Sequence, residues 1–301
     1  MNVFMLSNLL TTVSDGEISL LEQIIIFLGA KMETPTPYGW FHLLGIALII
    51  VACVLAFLFA RNVNEKQLNL ILGITATVLV VLEIYKQFTF SYQIETDTWS
   101  YHWFNAFPFQ FCATPMYAML IACFLKEGKL KDSICAYLAT FGMFAGLVVI
   151  LYPVQIFIST IGINIHALLH HAAMVIMGIV MYVTGRAKLS YKTILKALPV
   201  FVVFVSLALL GNHLYWVYLY PITEQVCNLF YISPYFPCTL PLLGDFIYGN
   251  VPYVVFLLVY VLGFTLAGYI MTLLATGFSK LYTLFKKRTP GKNAPAEKTT
   301  V

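Results

Sequence analysis

Long apolar runs alternate with short polar connections along almost the whole chain. A run of about 20 apolar residues suffices to cross a bilayer core of about 30 Å as a helix. Seven such spans are predicted, at 38–60, 67–90, 107–125, 130–151, 164–184, 191–216 and 251–284. Each is expected to be helical, because a lone segment in lipid must satisfy its own backbone hydrogen bonds. The runs are continuous and lack the short alternating segments of a barrel. The fold class is therefore an all-α polytopic membrane bundle. Ahead of the first span, Leu21, Ile24, Ile25 and Leu28 recur at i, i+3, i+4 and i+7. That spacing predicts an amphipathic helix lying on the membrane within 17–30. The organisation read from this pattern is an external segment 1–36, a transmembrane domain 37–285 and a disordered tail 286–301.

Charge gives the bundle a direction. Lys and Arg residues cluster after the first span (Arg61, Lys66), the third (Lys126, Lys129, Lys131), the fifth (Arg186, Lys188, Lys192, Lys196) and the seventh (Lys286, Lys287, Arg288). The alternate connections 91–106, 152–163 and 217–250 carry neither residue. Such alternation predicts an external amino terminus and a cytoplasmic carboxyl terminus. The net charge of +4 is thereby explained by topology, and no nucleic-acid partner is implied. The basic tail suits anionic lipid of the inner leaflet. Composition agrees with an integral protein of the cell membrane: 60% of residues are hydrophobic, 10% are charged and the mean hydropathy is +0.86. No cleaved signal peptide is expected, since Met1 to Leu10 lacks a basic start.

Orientation also turns scattered polar residues into a group. Glu83, Lys86 and Gln87 fall in the outer part of the second span, and Gln110 and Cys112 near the outer end of the third. His166, His170 and His171 occupy the outer half of the fifth, and Asn212 and His213 close the sixth. At 1.5 Å per residue, Glu83, Cys112, His170 and His171 lie roughly 7–12 Å below the membrane boundary. Groups so costly in hydrocarbon are expected to face the bundle interior, in a pocket open to the outer leaflet. A plain structural ion pair between Glu83 and Lys86, at i and i+3, is compatible with such a pocket.

Three chemistries fit these residue types. Cys112, the one cysteine at the depth of the histidines, is a candidate nucleophile activated by a neighbouring base. His166 and His170 share a helix face, so a single metal ion on these two and Glu83 or His213 is a lesser alternative. The leading reading requires no cofactor and no metal. Glu83, Lys86 and the histidines would also serve a transporter or receptor for a small or lipidic solute. In the long connection 217–250, Cys227 and Cys238 either join in a disulfide or lie apart.

Several short motifs resemble the YwaF-like family of bacterial membrane proteins, related to vertebrate transmembrane protein 164. They are the Thr-Pro-x-Gly-Trp-x-His-Leu stretch from Thr36 to Leu43, the Pro-x-x-x-Cys element from Pro108 to Cys112, the histidines of the fifth span, and Asn212-His213. The resemblance implies a membrane acyltransferase or lipid hydrolase that handles membrane phospholipid or another acyl lipid through a Cys and a His. On this chain it puts the Cys at Cys112 and the His at His171, with His170 the near alternative, and His213 also matches a family position. Gln110 stands where many bacterial members carry His. A neutral amide cannot act as a base, so either the base comes from elsewhere or the chemistry is lost in this chain.

Overall fold

The computed structural model describes residues 20–93, 98–153 and 156–288. Six helices are long and apolar enough to cross a membrane, and a shorter apolar helix joins them. In chain order they are α1 (Trp40–Asn62), α2 (Glu65–Ser91), the short α3 (Phe111–Phe124), α4 (Lys129–Leu151), α5 (Ile161–Val183), α6 (Lys192–Thr223) and α7 (Tyr253–Arg288). The only strands among the described residues are a two-residue antiparallel pair, Tyr92–Gln93 with Thr98–Trp99. A helix at Leu20–Leu28 precedes α1, inside the predicted amphipathic stretch. The side chains of Leu21, Ile25 and Leu28 lie outside the described residues, so that face is untested.

Three expectations from the sequence need correction. The third span starts later than its apolar run suggests, as three residues of 3-10 helix followed by 11 of α-helix. The α6 helix runs past Trp216 to Thr223 through a π-turn at Tyr215–Leu219. The α7 helix continues to Arg288, three residues into the segment expected to be disordered. The rest of that tail lies outside the described residues.

The basic connections meet at one end of the bundle. Lys131, at the start of α4, is almost fully buried and pairs with Glu65 and Asn69 of α2. Arg186, after α5, also reaches Glu65, and its second partner is Glu127 at 2.6 Å. Lys196 of α6 meets Asp132 of α4 at 3.1 Å, and Arg61 donates to the Tyr282 hydroxyl of α7 at 3.0 Å. The connections without Lys or Arg gather at the opposite end. There Tyr38 donates to the Leu151 carbonyl at 2.5 Å, and Trp103 N–H donates to Gln225 at 3.1 Å. The Lys and Arg pattern thus marks one physical end of the bundle.

Breaking a buried pair from one side strands the other charge, which costs more than the pair contributes. Glu65→Ala is therefore expected to destabilise the protein by about 3 kcal/mol, because it strands buried Lys131, whereas Lys131→Met leaves Glu65 paired with Arg186 and should cost less. Thermal unfolding of the two variants in detergent checks the asymmetry; equal losses would contradict it.

Close packing of α4 on α5 depends on two glycines. A Cβ added at Gly146 would lie 2.6 Å from the His171 carbonyl oxygen, and one at Gly178 would lie 2.6 Å from Met143 Cβ. Small residues at such crossings let helix backbones approach where lipid supplies no hydrophobic drive. Here the approach fixes the height and rotation of α5, and so of its histidines.

Candidate functional site

The short α3 begins inside the bundle. Its length of about 20 Å is well under the hydrocarbon thickness, so its amino-terminal end is recessed. Irregular backbone at such depth persists only when protein partners satisfy it. The Tyr117 hydroxyl donates to the Pro108 carbonyl at 2.6 Å, and Gln87 donates to the Ala106 carbonyl. The Gln110 amide clamps the connection between α6 and α7, donating to the Asn228 carbonyl at 3.1 Å and accepting from Phe230 N–H at 2.9 Å. Cys112 sits in the 3-10 turn Phe111–Ala113 that opens α3 and is half-buried. The unpaired N–H groups of a helix start favour a negative group there.

The α2 and α5 helices supply the rest. Glu83, Lys86 and Gln87 lie on one face of α2 because they are three and four residues apart. Lys86 Nζ is 2.6 Å from Glu83 Oε1, and Gln87 Nε2 donates to the same oxygen at 2.8 Å. Tyr101 in turn donates to Gln87 Oε1 at 2.8 Å. The other carboxylate oxygen, Oε2, faces His166 Nε2 at 3.8 Å. His166 and His170 are one turn apart with ring centroids 5.5 Å from each other, and His170 and His171 are separated by the same 5.5 Å. All three histidines and Glu83 are buried.

Hydrogen bonds fix two of the tautomers, since a carbonyl only accepts. His170 Nε2 lies 2.9 Å from the Cys112 carbonyl oxygen, so this nitrogen carries the proton and donates. His171 Nδ1 donates in the same way to the Ala167 carbonyl at 2.7 Å. The remaining nitrogens, His170 Nδ1 and His171 Nε2, have lone pairs, and both are buried without a partner, as is His166 Nε2. Each orphaned group costs about 1–3 kcal/mol. His42 is the contrast: its Nδ1 accepts from Tyr38 N–H at 2.9 Å and its Nε2 donates to the Ile150 carbonyl at 2.8 Å. His42 is a satisfied structural histidine, and the α5 histidines are not.

Of the residues singled out from the sequence, Glu83, Lys86, His166, His170 and His171 form this cluster, with Cys112 tied to it through His170. Gln110 and Asn212 serve the fold instead. Asn212 donates to the Leu229 carbonyl at 3.0 Å and accepts from Leu229 N–H at 2.8 Å, so both amides pin one loop. His213 is exposed, with Nδ1 2.6 Å from the Tyr235 hydroxyl, and does not share the burial of the other histidines. Cys227 and Cys238 are both buried and both free thiols. Sequence reasoning overlooked Tyr101, which continues the Glu83–Gln87 chain from a connection with no helical spacing to betray it.

No curated protein and no solved structure matches the chain. A family model does, that of the TMEM164 family, over residues 34–270. This match takes in the Thr36–Leu43 stretch, recessed α3, the α5 histidines and the loop pinned by Gln110 and Asn212, and stops within α7. The chain is an integral membrane protein of the TMEM164 family.

Proposed function

We propose that the protein transfers acyl groups of membrane phospholipid, or hydrolyses them, with Cys112 as nucleophile and His171 as base. The observation that carries this reading is a buried imidazole lone pair without a partner, on the residue next to the histidine that holds the Cys112 carbonyl. The His171 tautomer is the one a base requires, because Nδ1–H is held by Ala167 and Nε2 is free to take a proton. The unpaired N–H groups of the α3 start favour the negative charge that forms as His171 takes the proton.

In the forward step His171 Nε2 takes the thiol proton, and the sulfur attacks the carbonyl carbon of a fatty acyl ester. The ester C–O bond breaks, and the imidazolium returns its proton to the departing lysophospholipid oxygen. An acceptor hydroxyl, or water, then gives its proton to His171 and attacks the thioester, and the thiol is restored. Cys112 is half-buried while the histidines are buried, so the acyl chain approaches from the cysteine side. The role of Glu83, itself held by Lys86 and Gln87, is to keep α2 and α5 in register around the base. Reconstitution in vesicles that contain a phospholipid with one labelled acyl chain and an unlabelled lysophospholipid tests the reading. Movement of label to the acceptor, or its release as fatty acid, is the expected result; neither, in folded protein, would end it.

The site end of the bundle faces outward in this reading, with the basic end and tail against anionic lipid of the cytoplasmic leaflet. Lys129, Lys188 and Glu224 are exposed and suit a thiol-labelling test in a cysteine-free background. An impermeant maleimide applied to intact cells should label Glu224→Cys and spare Lys129→Cys and Lys188→Cys. The reverse pattern would invert the orientation.

A further inference from the structure

We infer that Glu83, His166 and His170 form a binding site for a divalent metal ion of the zinc type. One ligand atom from each of these buried residues lies within 4.8 Å of the other two. Zinc bonded at about 2.0–2.1 Å in a tetrahedron holds its ligand atoms about 3.3 Å apart, and His166 Nε2 and Glu83 Oε2 are already 3.8 Å apart. Small side-chain rotations close the remaining gap.

Two further observations point to a ligand. The nitrogens that would bind, His166 Nε2 and His170 Nδ1, are buried and have no hydrogen-bond partner. A metal ion is what such lone pairs lack. The outer atoms of the same residues are already arranged as the supporting contacts of a metal site. A ligating histidine characteristically donates its other N–H to a carbonyl, and a ligating carboxylate is itself hydrogen-bonded. His170 donates Nε2–H to the Cys112 carbonyl, while Lys86 and Gln87 hold Glu83 Oε1 and leave Oε2 facing His166. Lys86 therefore engages the oxygen that does not ligate. Imidazole nitrogen with one carboxylate is a donor set suited to zinc rather than to magnesium or calcium. Three protein ligands leave a fourth position open, as in sites that bind water or a substrate oxygen. His171 stays outside the set, and its lone pair remains available. The inference stands apart from the acyl reading, because metal binding is measured without turnover.

The test uses tag-free full-length protein in detergent, loaded with zinc or with cobalt, passed through a desalting column and assayed for bound metal. About one zinc ion per chain is expected, and the cobalt form should show the strong visible absorption of a tetrahedral nitrogen-oxygen site. Glu83→Gln and His166→Ala should weaken binding by about 10-fold or more, and Cys112→Ser should not change it. Retention of full binding in both Glu83→Gln and His166→Ala, with both folded, would overturn the site. If either variant fails to fold, the wild-type cobalt spectrum decides alone: no tetrahedral absorption at excess cobalt overturns the inference. Failure here would leave labelled acyl transfer untouched, and failure of acyl transfer would leave the metal stoichiometry untouched.

Discussion

Reconstituted Cys112→Ser protein is expected to move no labelled acyl chain while keeping the melting behaviour of the wild type. The exchange of sulfur for oxygen is nearly isosteric, so the helix start and the His170 bond to the residue 112 carbonyl survive. The chemistry does not survive, because a serine hydroxyl is far less acidic than a thiol and an isolated imidazole deprotonates it poorly. His171→Ala should lower the transfer rate by about 10²–10⁴-fold, the usual contribution of a positioned base. His170→Ala should lower rate and stability together, since it also releases the Cys112 carbonyl. Transfer by Cys112→Ser at the wild-type rate would remove Cys112 as nucleophile. Wild-type rates in His171→Ala would move the base elsewhere.

The second large effect is expected far from any reacting atom. Gly146→Val puts branched carbon where a Cβ alone would sit 2.6 Å from the His171 carbonyl oxygen and 2.9 Å from Met174 Cβ. Backbone cannot yield as a flexible side chain does, so α4 and α5 must separate. Overpacking of this kind costs about 1–3 kcal/mol. A displacement of about 1 Å at the base can cost about 10²-fold in rate even when the protein stays folded. Thermal unfolding and transfer assays on the same preparation check both losses. A folded Gly146→Val protein with full activity would show that the height of α5 does not matter to the chemistry.

The long spans were legible because the requirement for about 20 apolar residues is nearly a counting rule. The basic end was legible for a similar reason: Lys131, Arg186 and Lys196 fall in alternate connections, and the fold joins them through Glu65, Glu127 and Asp132. Depth arithmetic brought Glu83 to the α5 histidines, since helices of known rise leave little freedom in height. It could not give rotation. His213 shares the end of the bundle but presents its ring to Tyr235, a partner from the connection that follows α6. Gln110 and Asn212 looked like pocket residues for the same reason. Their true partners are backbone groups of Asn228, Leu229 and Phe230, in a loop whose path no periodicity encodes. The shortened α3 is a related failure, because apolar residues continue through Phe107 and Phe109 while the helix does not. The tautomers of His170 and His171 depend on single carbonyl partners and were beyond any reading of spacing.

That loop has a bearing on how the protein is assembled. Phe230 is fully buried with a left-handed backbone (φ 58°), stacked 5.8 Å from Phe109, with its carbonyl accepting from Tyr260 of α7 at 3.1 Å. Such a conformation costs a bulky residue about 1–3 kcal/mol and persists only when its surroundings over-determine it. The surroundings here are Gln110 from before α3 and Tyr260 from the last helix, so the wedge cannot seat until α7 is in place. The Gln110 side chain beside the start of α3 and the Tyr260 hydroxyl of α7 hold the same loop residue from two sides. A chain that stalls before α7 carries every helix that bears a site residue, yet lacks the Tyr260 hydroxyl that holds the Phe230 wedge beside the start of α3.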